Sequence, residues 1–176
     1  INKDKLYDFL RDMEFNRLLS QAISFYGEPT KKDFKDKTLV KKNNKINTKT
    51  YKTISKEKQL DELIKKLDEK SVIAVDTETS SLNPQEADLV GISVRYEAYE
   101  AFYIPVGHKE KTELKKDIVL KKLKPILEDP SIKKVGQNIK YDFIIFKNNG
   151  IELSSVEDTM LLSYTLDAGN NRHNMD

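Results

Sequence analysis

Two acidic residues, Asp76 and Glu78, follow a short apolar run at residues 72–75. The run VIAV is rich in β-branched residues, which predicts a buried strand ending at these acids. Side chains alternate along a strand, so both carboxylates lie on the same face. Buried side by side, they need a compensating cation, and their oxygen ligands suit Mg²⁺ or Mn²⁺. A chance occurrence stays open as the alternative, because Asp12 and Glu14 repeat the spacing in a helical context.

A second polar stretch, KKVGQNIKYD at residues 133–142, ends with Asp142. Val135 and Gly136 are predicted to end another strand, and Asn138 is a favourable N-cap for the helix that follows. Asp142 then lies in the first turn of this helix, where the helix dipole favours an anion. Together with the acids after the first strand, it lies where α/β folds gather their catalytic residues.

The composition is that of an ordinary water-soluble domain, with 176 residues of which 38% are hydrophobic and 34% are charged. No stretch approaches the roughly 20 apolar residues of a membrane span, and the sequence opens on no signal peptide, so we expect a cytoplasmic protein with no membrane partner. The absence of cysteine excludes disulfides and zinc–thiolate sites, and two histidines are too few for a histidine-rich metal cage.

The basic residues are concentrated at residues 31–52, which hold nine Lys and two Asp. Few apolar residues and no periodicity predict a flexible linker that trypsin would cut first. The alternative is an arm that grips nucleic acid through its phosphates. Phe34 and Tyr51 are the only aromatic residues there that could stack on bases.

Hydrophobic periodicity predicts an α/β order of elements for the rest of the chain. Two short helices precede Gly27. The predicted strands span residues 51–54, 72–75 with the two acids at its end, 89–96, 101–106 and 132–136. The predicted helices span 55–67, 117–128, 138–149 and a last segment to about residue 166.

The start signals of these helices are side-chain caps. Ser55 is the predicted cap of the helix at 55–67, and Ser155 with Asp158 forms a capping box for the last helix. We prefer this capping role for Asp158 over a metal-binding role. His108 and His173 are predicted to be surface residues without a function.

The stretches DTETSSL (76–82), GQNIKYD (136–142), DTML (158–161) and RHNMD (172–176) together resemble the 3′–5′ proofreading exonuclease domain of family-A bacterial DNA polymerases, the DNA polymerase I family. The likeness extends from about residue 51 to residue 176. Residues 5–19 resemble the closing helices of the 5′ nuclease domain that precedes the exonuclease in that family. The resemblance therefore implies three segments: closing helices of the 5′ nuclease domain at 1–29, a Lys-rich linker at 30–50 and the exonuclease domain at 51–176.

The implied fold is α/β, a ribonuclease-H-like (DnaQ-type) mixed sheet with an antiparallel meander and flanking helices, preceded by the N-terminal helices. The implied reaction is the hydrolysis of the 3′-terminal DNA phosphodiester with two divalent cations, Mg²⁺ or Mn²⁺. In this reaction Asp76 would bridge both ions and Glu78 would hold the ion that activates the attacking water. Asp142 would hold the ion that stabilises the leaving 3′ oxygen.

The resemblance also implies five substrate contacts. Leu82 would wedge between the last two bases, and Gln137 and Asn138 would contact the terminal nucleotides. Tyr141 would stack or hydrogen-bond beside them, and Arg172 would bind a phosphate. Each has a structural alternative, such as a core leucine at 82, a helix cap at 138 or a packed aromatic ring at 141.

The implied partners are a single-stranded DNA 3′ end and the polymerase and 5′ nuclease domains of the same polypeptide. The third family motif, Tyr-x-x-x-Asp, does not occur before residue 176, so we expect the 176 residues by themselves to be catalytically incomplete. Two alternatives remain open: a non-catalytic spacer domain of a polymerase, and a stand-alone RNA-trimming exonuclease of the same fold. The acids Asp76, Glu78 and Asp142 count against the spacer.

Overall fold

A computed structural model describes residues 1–29, 50–108, 114–168 and 173–174. The chain divides into two compact units. The first contains the predicted pair of N-terminal helices, α1 (Lys3–Asp12) and α2 (Asn16–Tyr26), which pack against each other. Tyr7 is buried, and its hydroxyl donates to the carbonyl of Gly27 at 2.6 Å. The predicted linker, apart from residue 50, lies outside the described residues.

The second unit is a six-stranded mixed sheet with four helices. The strands are β1 (Tyr51–Thr53), β2 (Val72–Thr79), β3 (Leu89–Arg95), β4 (Ala101–Pro105), β5 (Lys133–Gly136) and β6 (Val156–Asp158). The helices are α3 (Glu57–Asp68), α4 (Lys116–Glu128), α5 (Lys140–Asn148) and α6 (Thr159–Leu166).

The strand order is β1-β4-β3-β2-β5-β6. Strands β2, β3 and β4 form the predicted antiparallel meander, and β5 pairs with β2 in parallel. Strand β1 joins β4 and β6 joins β5, both in parallel, at the two edges of the sheet. No helix in the described part of the chain is long and apolar enough to cross a membrane.

The alternation along β2 decides which face of the sheet is covered. Ile73 and Val75 are buried in the core, whereas Asp76 and Glu78 point to the exposed face. Helices α3 and α4 cover the core face with apolar residues. The buried ones are Leu60, Leu63, Leu67, Val119, Leu123, Ile126 and Leu127.

The predicted cap at Ser55 is wrong. Helix α3 begins at Glu57, and its N-cap Lys56 makes no side-chain cap bond. The side chain of Gln59 reaches back instead, and its Oε1 accepts from the backbone N–H groups of Ser55 and Lys56, both at 3.1 Å. One glutamine acceptor thus satisfies two amides that a serine cap would have left to water.

The predicted cap at Asn138 is also wrong, and of the predicted capping box at residues 155–158 only the capping role of Asp158 is confirmed. Asn138 has a left-handed backbone (φ 55°), and α5 begins two residues later, at Lys140. Asp158, rather than Ser155, caps α6, since its Oδ1 accepts from the backbone N–H of Met160 at 2.9 Å. Asparagine tolerates the left-handed conformation better than most residues, so residue 138 serves as a turn residue and not as a cap.

The orientation of α4 leads to a stability prediction. Leu123 is fully buried, whereas Leu120, three residues earlier, only packs against the edge of the core. We expect Leu123→Ala to lower the free energy of unfolding by about 2–5 kcal/mol, and Leu120→Ala to lower it by less than half as much. Urea unfolding of both variants measures this difference. Equal losses would show that α4 is rotated about its axis relative to this structure.

Candidate active site

Seven of the eight predicted site residues line one open cleft at the end of β2, with a volume of about 520 Å³. The cleft is bordered by β2, the loop that follows it and the β5–α5 turn. These residues are Asp76, Glu78, Leu82, Gln137, Asn138, Tyr141 and Asp142. The eighth, Arg172, lies outside the described residues.

The carboxylate of Asp142 is buried and bound to β2. Its Oδ1 accepts from the backbone N–H of Thr77 at 2.8 Å and from the Thr77 hydroxyl at 2.6 Å. Pairing between β2 and β5 ends at Ala74 and Val135, so the carboxylate takes the place of a strand partner for Thr77. Both bonds use the same oxygen, and Thr77 leaves the second oxygen of the carboxylate unused.

Burial and a neighbouring negative charge raise the pKa values of two of these carboxylates, Asp142 and Asp76. Burial raises the pKa of Asp142 to about 6, against the hydrogen bonds from Thr77, and the charge of Asp76 adds to the effect. Burial and the charge of Glu78 raise the pKa of Asp76. The cleft therefore has a negative field that favours a proton or a cation over bare carboxylates. Among the described residues, no three acidic or histidine side chains form a ready metal cluster.

Tyr141 fixes the loop after β2. Its hydroxyl donates to the carbonyl of Ser81 and lies 2.5 Å from the hydroxyl of Thr79. The next residue, Leu82, is 97% exposed, which excludes the alternative of a core leucine. The tyrosine therefore holds a loop that presents a bare apolar side chain at the cleft.

The side chain of Gln137 is occupied by the chain itself. Its Nε2 donates to the carbonyl of His173 at 2.7 Å, and its Oε1 accepts from the hydroxyl of Thr159 at 2.5 Å. His173, predicted to be a surface residue, is partly buried, and its Nδ1 lies 2.8 Å from the Ser163 hydroxyl. The side chain of Asn138 is exposed, whereas its backbone N–H donates to Asp158 at 3.0 Å.

Sequence comparison identifies the family. DNA polymerase I of Pseudomonas aeruginosa is 43% identical over 132 residues, which cover 72% of this chain and 14% of that protein. DNA polymerase I of Borreliella burgdorferi is 36% identical over 149 residues, or 84% of this chain and 16% of that protein. The 3′–5′ exonuclease family model matches residues 51–176. The chain belongs to the 3′–5′ exonuclease domain family of DNA polymerase I. It spans less than a fifth of the length of these curated relatives.

Solved structures agree with this fold. Escherichia coli RNase D, an exoribonuclease, superimposes with a TM-score of 0.54 at 24% identity, over 68% of this chain and 30% of that one. The EXO domain of Aedes aegypti Nibbler gives a TM-score of 0.55 at 12% identity, over 72% and 61%. The predicted ribonuclease-H-like fold is confirmed. Exonucleases of this family depend in general on divalent metal ions.

The raised pKa of Asp142 predicts how stability depends on pH. The unfolded carboxyl titrates near its ordinary value of about 3.9 and the folded one at about 6, so folding is penalised as pH rises through this window. Asp142→Asn keeps an oxygen that accepts from Thr77 and removes the charge. In metal-free buffer at pH 7–8 it should raise the free energy of unfolding by on the order of 1–3 kcal/mol.

This gain should shrink as pH falls from 6 to 4, where the wild-type carboxyl becomes neutral in the folded state. Urea unfolding in EDTA across pH 4–8 measures it. Asp68→Asn, at an exposed helical position, is the matched control and should change the curve little at any pH. A gain from Asp142→Asn that is the same at pH 4 and pH 8 would contradict the assigned cause.

Proposed function

We propose that the chain takes part in hydrolysis of the 3′-terminal phosphodiester of single-stranded DNA, using two divalent cations, Mg²⁺ or Mn²⁺, held by Asp76, Glu78 and Asp142. Because the third family motif is absent, the 176 residues by themselves carry out this reaction very slowly at most. The observation that carries this proposal is that one cleft collects all three carboxylates together with the exposed Leu82. Acids alone would suggest an ion site. The apolar side chain beside them adds a surface that suits nucleic-acid bases.

The donor set fits a hard divalent cation. All three acids line the cleft, and burial and the charge of a neighbouring carboxylate raise the pKa values of Asp76 and Asp142, so positive charge is favoured there. When bound, such ions supply charge stabilisation at the phosphoryl group and activate water for attack. The contribution of the chain is to hold the carboxylates, and Thr77 does this for Asp142 through one oxygen.

The loop and the α5 turn would position the substrate. Leu82 offers an apolar edge that separates the last base from its neighbour, and Tyr141 keeps this loop in place. The exposed side chain of Asn138 would bind the terminal nucleotide. Gln137 could do so only by giving up its bonds to His173 and Thr159. A paired end must separate before it fits such a wedge, which gives a preference for single strands.

The proposal includes a wider context. The relatives are named DNA polymerase I, so we place this chain in a longer polypeptide with a polymerase domain and a 5′ nuclease domain, acting as a proofreading domain in replication and repair. Within it, 1–29 would close the 5′ nuclease domain, 30–50 would be the linker and 51–176 would belong to the exonuclease. A bacterial cytoplasmic location follows from this role.

Metal binding tests the proposal. Calorimetric titration with Mn²⁺ should show binding to the wild-type chain that Asp76→Ala weakens at least about tenfold, because a carboxylate ligand is lost. A 5′-labelled DNA oligonucleotide should be shortened slowly from its 3′ end in Mn²⁺, and Asp76→Ala should abolish the shortening. Asp68→Ala is the control with an exposed acid outside the cleft.

Each alternative predicts a different result. Mn²⁺ binding that does not depend on Asp76 would overturn the proposal and favour a non-catalytic spacer. Faster shortening of a matched RNA oligonucleotide would instead favour an RNA-trimming enzyme. The oligonucleotides need the same sequence, since stacking strength varies with the bases.

The wedge predicts a separate effect for Leu82. Leu82→Ala should weaken binding of a single-stranded DNA 3′ end by roughly tenfold, because apolar contact with a base is lost. It should leave Mn²⁺ affinity and stability unchanged, since the side chain is 97% exposed. Fluorescence anisotropy with the labelled oligonucleotide measures the first effect. The exposed leucine Leu166, on α6, gives the control variant Leu166→Ala. Equal binding by Leu82→Ala and wild type would remove the wedge from the proposal.

A further inference from the structure

Two rows of directly paired residues cross the meander of β2, β3 and β4, and each row begins at an acid of the cleft. Within a row, directly paired residues share a face, and β2 shows that this is the exposed face. The first row is Asp76, Ser93 and Tyr103, and the second row is Glu78, Gly91 and Pro105. Tyr103 and His108 were not among the residues that the sequence singled out for the site.

The side chain of Tyr103 leaves its own row and covers Gly91. A Cβ atom at position 91 would lie 2.0 Å from the phenol oxygen and 2.4 Å from the ring carbon that bears it. Gly91 pairs directly with Glu78, so the phenol occupies the space where a cross-strand neighbour of Glu78 would place its side chain. Directly opposed Cβ atoms lie about 4.5–5.5 Å apart, which brings the phenol within reach of the carboxylate. Burial, and then the charge of Glu78, raise the pKa of Tyr103.

His108 holds the phenol in this position. Its Nε2 lies 2.6 Å from the Tyr103 hydroxyl, and the two rings meet edge to face with centroids 5.7 Å apart. The backbone places His108 through Gly107, whose N–H donates to the carbonyl of Val90 at 2.9 Å. A Cβ at position 107 would lie 2.6 Å from the carbonyl oxygen of Leu89, so this close approach requires glycine.

We propose that Tyr103, held by His108, is a positioning residue for Glu78 in the exonuclease site. The inference rests on the proposed function. With Nε2–H of His108 donating to the phenol oxygen, the phenol O–H is left to donate toward the carboxylate of Glu78. It thereby restricts the directions that this exposed side chain takes. Glycine at position 91 is part of the arrangement, because any side chain there would displace the phenol.

Packing alone predicts a different behaviour. If the ring of Tyr103 served only to cover Gly91, phenylalanine would replace it without loss, because the ring stays and only the hydroxyl goes. A positioning role makes the hydroxyl itself necessary. Tyr103→Phe therefore separates the two roles without opening a cavity.

Tyr103→Phe should weaken Mn²⁺ binding about three- to tenfold, the effect of one lost hydrogen bond at a ligand, with little change in unfolding temperature. His108→Ala should act in the same direction, and the double variant should be no worse than Tyr103→Phe, because both changes break one chain of contacts. His108→Gln, which keeps an N–H donor, should restore part of the affinity. Tyr96→Phe is the matched control, since Tyr96 stacks on Phe102 and its hydroxyl faces Glu100.

A second readout needs no metal. The protein is labelled with ¹³C at the tyrosine ring carbon that bears the hydroxyl and observed by NMR. The signal of Tyr103 is the one that disappears in Tyr103→Phe. Glu78→Gln should shift this signal. Glu97→Gln, at an exposed residue paired with Lys70, should leave that signal in place. The inference would be overturned if the Tyr103 signal did not move in Glu78→Gln. It would also be overturned if Tyr103→Phe left the Mn²⁺ affinity unchanged while Asp76→Ala lowered it. Mn²⁺ binding independent of Asp76 would overturn the proposed function instead, and the NMR shift would still decide whether Tyr103 contacts Glu78.

Discussion

The hydrogen bonds from Thr77 to Asp142 are the contact on which the candidate site depends. Strand β2 continues past the point where β5 stops pairing with it, and the amide of Thr77 would otherwise be a buried donor without a partner. A carboxylate supplied by the first turn of α5 meets this need and fixes the helix to the strand. Burial nevertheless raises the pKa of Asp142 to about 6, so these bonds do not offset the loss of water around the charge. The contact with Thr77 orders the site, but it also keeps a carboxylate buried without a positive charge next to it.

The first turn of α5 also connects the acids to the loop after β2. Tyr141 and Asp142 are consecutive, and the first holds the Ser81 carbonyl while the second holds Thr77. Both ends of the segment 77–81 are thus tied to one helical turn. A shift of α5 would move the carboxylate and the loop bearing Leu82 together. In the proposed exonuclease, substrate position and ligand position would therefore be set by the same element, which suits catalysis that depends on geometry.

Strands and acids could be predicted because their signals are local. Apolar alternation in β2, the pair Asp76 and Glu78, and the position of Asp142 at the start of a helix are each visible within a few residues. Caps could not be predicted, because each depends on a competition among neighbours. The side chain of Gln59 takes the place of the predicted cap of α3. Asp158 accepts a hydrogen bond from the backbone N–H of Asn138, twenty positions earlier in the chain.

The contribution of Tyr103 was hidden for a related reason. Gly91 has no chemistry of its own, and only the strand register shows that it faces Glu78. His108 is exposed, as predicted, yet its partner is a phenol five residues earlier that turns back over the sheet. Strand pairing brings together residues that are far apart in the sequence, and no local sequence pattern predicts which residues become neighbours.

Two of the three acids lie on β2 and the third reaches the strand from α5, and this arrangement determines the energetics of the proposed ion site. Asp76 and Glu78 project from the exposed face, whereas Asp142 meets the strand through Thr77, which belongs to the core face. Only the cleft at the end of the strand is lined by all three. Within the described ranges they do not form a compact cluster, and two like charges at 4 Å repel by about 4 kcal/mol at an effective dielectric of 20. Drawing the carboxylates together is therefore costly without positive charge between them, and in the proposed site the bound ions would supply the energy that brings them together.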